Sequence, residues 1–340
     1  MTSIVLTGGG TGGHIMPNIA LIPALREKFS RIYYVGREGG REKFFAESAG
    51  VPFFGVPAVK FERDKPLSLL TTPPRLLDCA RKAERVLREL MPDVVFCKGG
   101  YVSLPCALAA RRLHIPVVNH ESDLSLGLAN KLISRFSCTT ITSFPETKAK
   151  RAVFLGNPLR REIFTPAPLA LPLDKSRPTV LFVGGSSGAR ALNEAVFANL
   201  DALTARFNVL HITGKKTDRK RAHYFPCEYT RNIAAYYAAA DAVVSRCGAN
   251  AACELLALKK RVLFVPLSNG ASRGDQVENA RYYVRKGCAL SCGESELSAN
   301  CIQLIERTLR LPPPPYDYDR DTDKKIAALC LKAARQKAHL

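Results

Sequence analysis

Two glycine-rich segments stand where a chain can bring its own backbone up to a phosphate. Gly8-Gly9-Gly10-Thr11-Gly12-Gly13-His14 follows the run Ile4-Val5-Leu6-Thr7, and Gly184-Gly185-Ser186-Ser187-Gly188-Ala189 follows Thr179-Val180-Leu181-Phe182-Val183. A glycine turn between strand and helix exposes N–H groups to an anion, and the helix N-terminus adds a favourable dipole. Tight turning alone is the competing use of such glycines; two loops at equivalent places favour phosphate. Neither loop fits G-x-x-x-x-G-K-[ST], which argues against a P-loop nucleotidase. The second strand ends Tyr33-Tyr34-Val35-Gly36-Arg37, without the acid that a dinucleotide fold places on ribose, so NAD is disfavoured. A third pair, Lys98-Gly99-Gly100-Tyr101-Val102-Ser103, either cradles another phosphate or turns the chain.

The elements that must carry these loops alternate between β-branched runs and amphipathic stretches, the pattern of β-α-β units and parallel sheets. In the first half the strands are Ser3–Leu6, Arg31–Val35, Val94–Phe96, Pro116–Asn119 and Cys138–Thr142, with helices over Asn18–Phe29, Arg75–Leu90 and Leu104–Leu113. The pattern restarts with strands at Thr179–Val183, Phe207–Thr213, Ala242–Ser245 and Arg261–Val265. Helices follow near Ala189–Thr204, Ile233–Ala239, Ala249–Leu258 and Asp275–Lys286. Prolines in Phe164–Pro168 and Leu171–Leu173 mark the boundary between halves. The reading is therefore two domains: residues 1–160 and 161–321, with a basic terminal helix inside 322–340 packing back on the first.

At 340 residues two cores are expected. A net charge of +20 attracts polyanions. No RNP-like segment or zinc finger accompanies it, so diphosphates and anionic lipid are better partners than nucleic acid. The eleven cysteines include no C-x-x-C pair and no histidine at ligand spacing, so they are expected to be reduced and packed as small hydrophobes. No apolar run approaches the roughly 18 residues that span a bilayer. The N-terminus reads as a first strand, which places the chain in the cytoplasm.

Six ordered motifs carry a resemblance that covers nearly the whole chain. They are Gly9–His14, Lys98–Ser103, His120-Glu121-Ser122-Asp123, Gly156-Asn157-Pro158-Leu159-Arg160, Gly184–Ala189, and Ser245–Ala249 through Glu254 to Gln276 and Asn279. Together they resemble the MurG family (glycosyltransferase family 28), bacterial transferases that add N-acetylglucosamine to lipid I in peptidoglycan synthesis. The resemblance implies the GT-B fold, two Rossmann-like domains facing across a cleft, and an inverting transfer from UDP-N-acetylglucosamine. The acceptor it implies is an undecaprenyl-pyrophosphate-linked muramyl peptide, at the cytoplasmic face of the plasma (inner) membrane.

Carried over by position, Glu254 accepts the ribose hydroxyls, and Ala249 and Asn250 open a helix beside the diphosphate. Ser186 contacts phosphate, Arg160 stabilises departing UDP, Thr230 meets the uracil edge, and Gln276 reads a sugar hydroxyl. Thr11, Gly12, Gly13 and Asp123 complete the donor contacts. Gly10, Gly13, Gly99, Gly100 and Tyr101 take the acceptor diphosphate. His14 is the candidate base, since histidine titrates near working pH. Glu121 is the competing base, or a structural acid ordering His120. The resemblance implies neither metal nor cofactor. Ser122 and Asp123 depart from the family's glutamine and asparagine, and Asp275 from its histidine or glutamine, which touches the sugar contacts rather than the fold.

The lipid acceptor implies membrane contact by the first domain. Lys60, Arg63, Lys65, Arg75, Arg81, Lys82, Arg85 and Arg88 surround Leu67–Leu70 and Leu76-Leu77, the composition of an interfacial helix. The alternatives are a GT-B transferase acting on diacylglycerol, a nucleotide-sugar epimerase, and a non-catalytic lipid-binding module.

Overall fold

A computed structural model describes residues 2–59, 68–184, 190–267 and 274–337. They form two compact units, Met1–Arg160 with Asp319–Leu340, and Arg161–Tyr318. The proline-rich stretch around Pro166 and Pro168 lies inside the second unit, because the chain changes unit at Arg160, before it.

The first unit runs β1 (Ser3–Thr7), α1 (Gly12–Arg26), β2 (Arg31–Arg37), α2 (Glu42–Ser48), β3 (Phe53–Val56), α3 (Ser68–Leu90), β4 (Val94–Cys97), α4 (Ser103–Arg112), β5 (Val117–Glu121), α5 (Leu128–Ile133), β6 (Thr139–Thr142) and β7 (Ala152–Phe154). Its seven strands pair in the order β3-β2-β1-β4-β5-β6-β7, all parallel. Because side chains alternate across a strand, β1 and β4 divide their residues between two cores. Ile4, Leu6 and Phe96 pack with Leu21 and Leu25 of α1, whereas Val5, Val95 and Cys97 pack with Leu87, Ala107 and Ala110 of α3 and α4.

The second unit runs β8 (Thr179–Val183), α6 (Arg190–Ala198), α7 (Leu200–Arg206), β9 (Asn208–Ile212), β10 (Tyr224–Cys227), α8 (Ile233–Ala239), β11 (Ala242–Ser245), α9 (Ala249–Ala257), β12 (Arg261–Phe264), α10 (Asp275–Arg285), β13 (Leu290–Ser291) and α11 (Glu294–Leu309). Its six strands follow the order β10-β9-β8-β11-β12-β13. The last helix, α12 (Thr322–Lys337), returns to the first unit, where Ile326, Ala327 and Cys330 enter the core beside α1.

Several elements differ from the sequence expectation for physical reasons. The first helix begins at Gly12, not Asn18, and runs through Pro17 and Pro23; burial of Ile15, Leu21, Ile22 and Leu25 outweighs its poor propensity. The third helix starts at Ser68 rather than Arg75. The expected helix to Thr204 is two, broken at Asn199, whose amide donates to the Ala195 carbonyl at 2.9 Å. Short strands at Phe53–Val56, Ala152–Phe154, Tyr224–Cys227 and Leu290–Ser291 carry too few residues for a period to show.

The cysteines are free and mostly buried, and burial pushes the Cys106, Cys292 and Cys301 thiols up to about 12. Among the described residues no helix is long and apolar enough to cross a membrane.

Candidate active site

In an open parallel sheet, ligands sit beyond the carboxyl ends of the strands, where the strand order reverses. In the first unit that point lies between β1 and β4, and each is followed by one of the glycine turns. The two turns touch. A Cβ at Gly10 would stand 2.6 Å from the Tyr101 ring, and one at Gly100 would stand 3.0 Å from the Gly9 carbonyl oxygen. Gly10, Gly99 and Gly100 have φ of 83°, 93° and 77°, a left-handed conformation that other residues rarely adopt. Gly10, Gly100 and Tyr101 thus share one surface, while Gly99 is buried against the Asn130 side chain.

That surface is held from beneath. The Tyr34 hydroxyl donates to the Gly8 carbonyl at 2.6 Å and accepts from Asn18 Nδ2 at 3.2 Å, and burial pushes the phenol's pKa well up. Glu42 is buried, accepts the Arg37 N–H at 2.8 Å, and lies where a side chain at Gly9, Gly36 or Gly40 would go. Tyr34, Asn18 and Glu42 were missed at the sequence level; only the glycines flanking Glu42 hint at a carboxylate packed on backbone.

Thr11 is the N-cap residue of α1, with no side-chain cap and no acid in the first turn. The positive end of the helix dipole at such a terminus favours an anion. Thr11, Gly12 and Gly13 lie at this end. His14 is in the helix's first turn rather than at the end of a loop, and its Nδ1 shares a hydrogen with Thr11 Oγ1 at 3.0 Å.

Glu121 ends β5 and is buried. Its Oε1 accepts the N–H groups of Ser122 (2.8 Å) and Asp123 (3.0 Å). Its Oε2 accepts the N–H of Gly127 (2.8 Å) and Asn130 Nδ2 (2.9 Å). Asn130 Nδ2 also donates to the His120 carbonyl at 3.0 Å. Both carboxylate oxygens are occupied in ordering residues 120–130, whereas a general base needs a lone pair directed at substrate. Of the two alternatives for Glu121, the geometry favours the structural acid.

His120 is fully buried. Its Nε2–H donates to the Gly156 carbonyl at 3.0 Å and its Nδ1 accepts from Lys98 Nζ at 2.8 Å. Burial, then the neighbouring ammonium, hold its pKa well below the usual imidazole range, so it is neutral. Lys98 also donates to Ser122 Oγ, which donates to Asn157 Oδ1 at 3.1 Å. Asp123 follows in a half-buried position, as does Arg160 at the end of the Gly156–Arg160 motif.

In the second unit the order reverses between β8 and β11. Ser186 and most of its glycine loop lie outside the described residues. After β11, Gly248 is the N-cap residue of α9, again with no side-chain cap and no first-turn acid. Ala249 and Asn250 open this helix. Glu254 stands half-buried one turn further on, beyond the first turn where the dipole alone would favour an acid.

The buried Arg246 donates to the Val265 carbonyl at 2.9 Å and pairs with Glu294 at 2.5 Å, fixing the exit of β12. Gln276, in the first turn of α10, accepts the Leu267 N–H at 3.0 Å, so its carbonyl end serves backbone and its amide nitrogen is the group suited to a hydroxyl acceptor. Asn279 donates to the Cys247 carbonyl at 3.4 Å. Thr230 Oγ1 accepts the N–H of Asn232, the residue at the N-cap position of α8, at 3.0 Å.

Comparison with known proteins identifies the family and the fold. Residues 4–142 match the glycosyltransferase family 28 N-terminal domain and residues 179–334 its C-terminal domain. A UDP-N-acetylglucosamine--N-acetylmuramyl-(pentapeptide) pyrophosphoryl-undecaprenol N-acetylglucosamine transferase of Lachnospira eligens is 41% identical over 323 residues, 91% of each chain. One of Lachnoclostridium phytofermentans is 42% identical over 311 residues, 88% of each. The crystal structure of Acinetobacter baumannii MurG is similar with a TM-score of 0.77 at 25% identity, covering 98% of this chain and 100% of that one. The calicheamicin glycosyltransferase CalG4, at 16% identity and a TM-score of 0.68 over 100% of this chain and 97% of its own, shares the fold alone. With both domain models matched in order and two relatives above 40% identity, the chain belongs to glycosyltransferase family 28 and has its GT-B pair of Rossmann-like domains.

Proposed function

We infer that the chain transfers N-acetylglucosamine from UDP-N-acetylglucosamine to the lipid-linked muramyl peptide lipid I, giving lipid II with inversion at the anomeric carbon. The observation that carries this is identity above 40% across about nine-tenths of proteins named for that transfer. The helix N-termini at Thr11 and Gly248, each without an acid in its first turn, support it, since the dipole there suits a diphosphate.

In this reading Ala249, Asn250 and Ser186 meet the UDP diphosphate, Glu254 accepts the ribose hydroxyls, and Thr230 lies at the uracil edge. Gln276 and Asp123 face the sugar, and Arg160 stabilises charge on the departing UDP. The touching turns at Gly10, Gly13, Gly99, Gly100 and Tyr101, with Thr11 and Gly12, receive the anionic groups brought to the first unit. With Nδ1–H given to Thr11, His14 Nε2 takes the proton of the acceptor hydroxyl as that oxygen attacks. The new bond forms as the anomeric carbon–oxygen bond to UDP breaks, and the electron pair leaves with UDP. Glu121 orders the turn and takes no proton.

The first unit faces an anionic membrane surface through α3 and reaches its acceptor as a peripheral protein. Arg75, Arg81, Lys82, Arg85 and Arg88 are exposed there with Leu77, while Lys60, Arg63, Lys65 and Leu67 lie outside the described residues. Nucleic acid is no partner in this reading.

Purified chain supplied with UDP-N-acetylglucosamine and either lipid I or diacylglycerol tests it. Lipid II formation is expected from the first acceptor alone. Transfer to diacylglycerol, or isomerisation of the nucleotide-sugar without acceptor, would replace this function with one of its rivals.

A further inference from the structure

Lys98 is a charged side chain that the transfer as assigned does not use, and it is 1% exposed. It follows β4, its N–H donates to the Thr7 carbonyl at 2.9 Å, and a Cβ at Gly8 would stand 3.0 Å from its own Cβ. Its side chain therefore starts against the first glycine turn.

What it holds is specific. One N–H goes to Ser122, whose hydroxyl passes the link to Asn157 Oδ1 at 3.1 Å. Another goes to His120 Nδ1 at 2.8 Å, and that ring reaches the Gly156 carbonyl at 3.0 Å. One ammonium thus joins residues 120–122 to residues 156–157 along two parallel routes. Asp123 follows Ser122 directly, and Arg160 stands three residues beyond Asn157. Ser122 is held twice, its N–H by Glu121 and its hydroxyl by Lys98, which leaves little freedom to the residue after it. A connected polar network in a low-dielectric interior fixes geometry more firmly than separate pairs.

We propose that Lys98 is a positioning residue for sugar transfer, holding Asp123 and Arg160 at a fixed spacing so that the hexose and the diphosphate of one donor are met together. This rests on the donor roles assigned above. Methionine at 98 keeps the length and removes the charge and the N–H groups, while Ser122→Ala removes one route only.

Lys98→Met and Ser122→Ala are each expected to lower kcat/KM for UDP-N-acetylglucosamine by about tenfold, and the double variant to be little worse than Lys98→Met alone, as for groups in one network. The dissociation constant of uridine, whose base and ribose contacts are assigned to the second unit alone, should stay within about twofold, inside the error of independent sites. Where Lys98→Met does not fold, Ser122→Ala with Asn157→Ala forms the same cycle. Additive losses, or uridine weakened as much as turnover, overturn the proposal. Wild-type chain that moves no sugar from this donor would instead overturn the donor assignment, and the inference with it.

Discussion

Gly100 lies directly against His14: a Cβ there would stand 3.0 Å from the imidazole Nδ1. The same atom would meet the Gly9 carbonyl at 3.0 Å, and the φ of 77° already disfavours any side chain. Gly100→Ala must therefore push the imidazole, the Gly9 turn or both. With His14 as the base, Gly100→Ala is expected to lower kcat by 10-fold or more, since displaced catalytic geometry costs on the order of 10²-fold. His14→Ala should lower kcat by roughly 10²–10⁴-fold and leave UDP affinity alone. Steady-state kinetics beside UDP titration reads both, and a His14→Ala enzyme with wild-type kcat would remove the base assignment.

Glu121→Gln separates scaffold from catalyst. Oε1 and Oε2 each accept two N–H donors, and an amide keeps only one accepting oxygen, so its NH₂ would face two donors. Leaving buried donors unmet costs about 1–3 kcal/mol. The variant should melt lower, and turnover of its folded fraction should keep the wild-type pH profile. A basic limb missing from that profile, with the melting point unchanged, would return Glu121 to the role of base.

Much of this arrangement is written into local sequence, and the rest depends on contacts that no local pattern reports. Strands such as Ser3–Thr7 and Thr179–Val183 show as apolar runs before glycine because burial on both sheet faces demands such runs. His14, Gly100 and Glu254 are visible through turn chemistry and family motif. Tyr34, Asn18 and Glu42 are not: Tyr34 reaches the Gly8 carbonyl 26 residues away, Asn18 reaches Tyr34 16 residues away, and Glu42 packs against glycines whose absent Cβ leaves no mark. Lys98 had a usable signal: a lysine directly after an all-buried strand must bury its charge or turn at once. The start of α1 was misread because prolines at 17 and 23 argue against helix until packing is known.

Glu254→Ala tests the nucleotide site. A carboxylate accepting two ribose hydroxyls makes charge-assisted hydrogen bonds, together about 1.5–3 kcal/mol. UDP affinity is expected to fall by roughly 10–100-fold, with little change in melting temperature because the side chain is half-exposed. Calorimetric titration with UDP reads it directly; unchanged affinity would move the nucleotide away from α9.

Stability should fall in acid through two buried histidines. His211 donates from Nε2 to Asn193 Oδ1 at 2.9 Å and accepts at Nδ1 from the Tyr224 hydroxyl at 3.0 Å; burial lowers its pKa to about 4. His120 is shifted the same way. An unfolded histidine titrates near 6.5, so between there and pH 4 the unfolded chain binds more protons than the folded one. The stabilisation is whole above pH 6.5 and fades as pH drops, by about 2 kcal/mol at pH 5 from His211 alone. Denaturant unfolding from pH 7.5 to 5 should show this slope, and His211→Gln should flatten part of it. A midpoint that does not move with pH would mean that both rings already take up protons in the fold.

Membrane contact should depend on charge more than on insertion. Lys82 pairs with Asp78 at 3.3 Å and Arg88 with Glu84 at 2.8 Å, which offsets part of the cationic face of α3. Arg75, Arg81 and Arg85 are the exposed cations to remove. Each basic residue near an anionic leaflet contributes about 1 kcal/mol, so replacing all three with serine should weaken binding to phosphatidylserine vesicles by roughly 10²-fold. Binding of the unaltered chain should also weaken as salt rises from about 0.05 to 0.5 M, where the screening length shortens to a few ångströms. Cosedimentation across that range measures both. Salt-insensitive binding, retained by the triple variant, would assign attachment to apolar contacts such as the exposed Leu77 and Met91 instead.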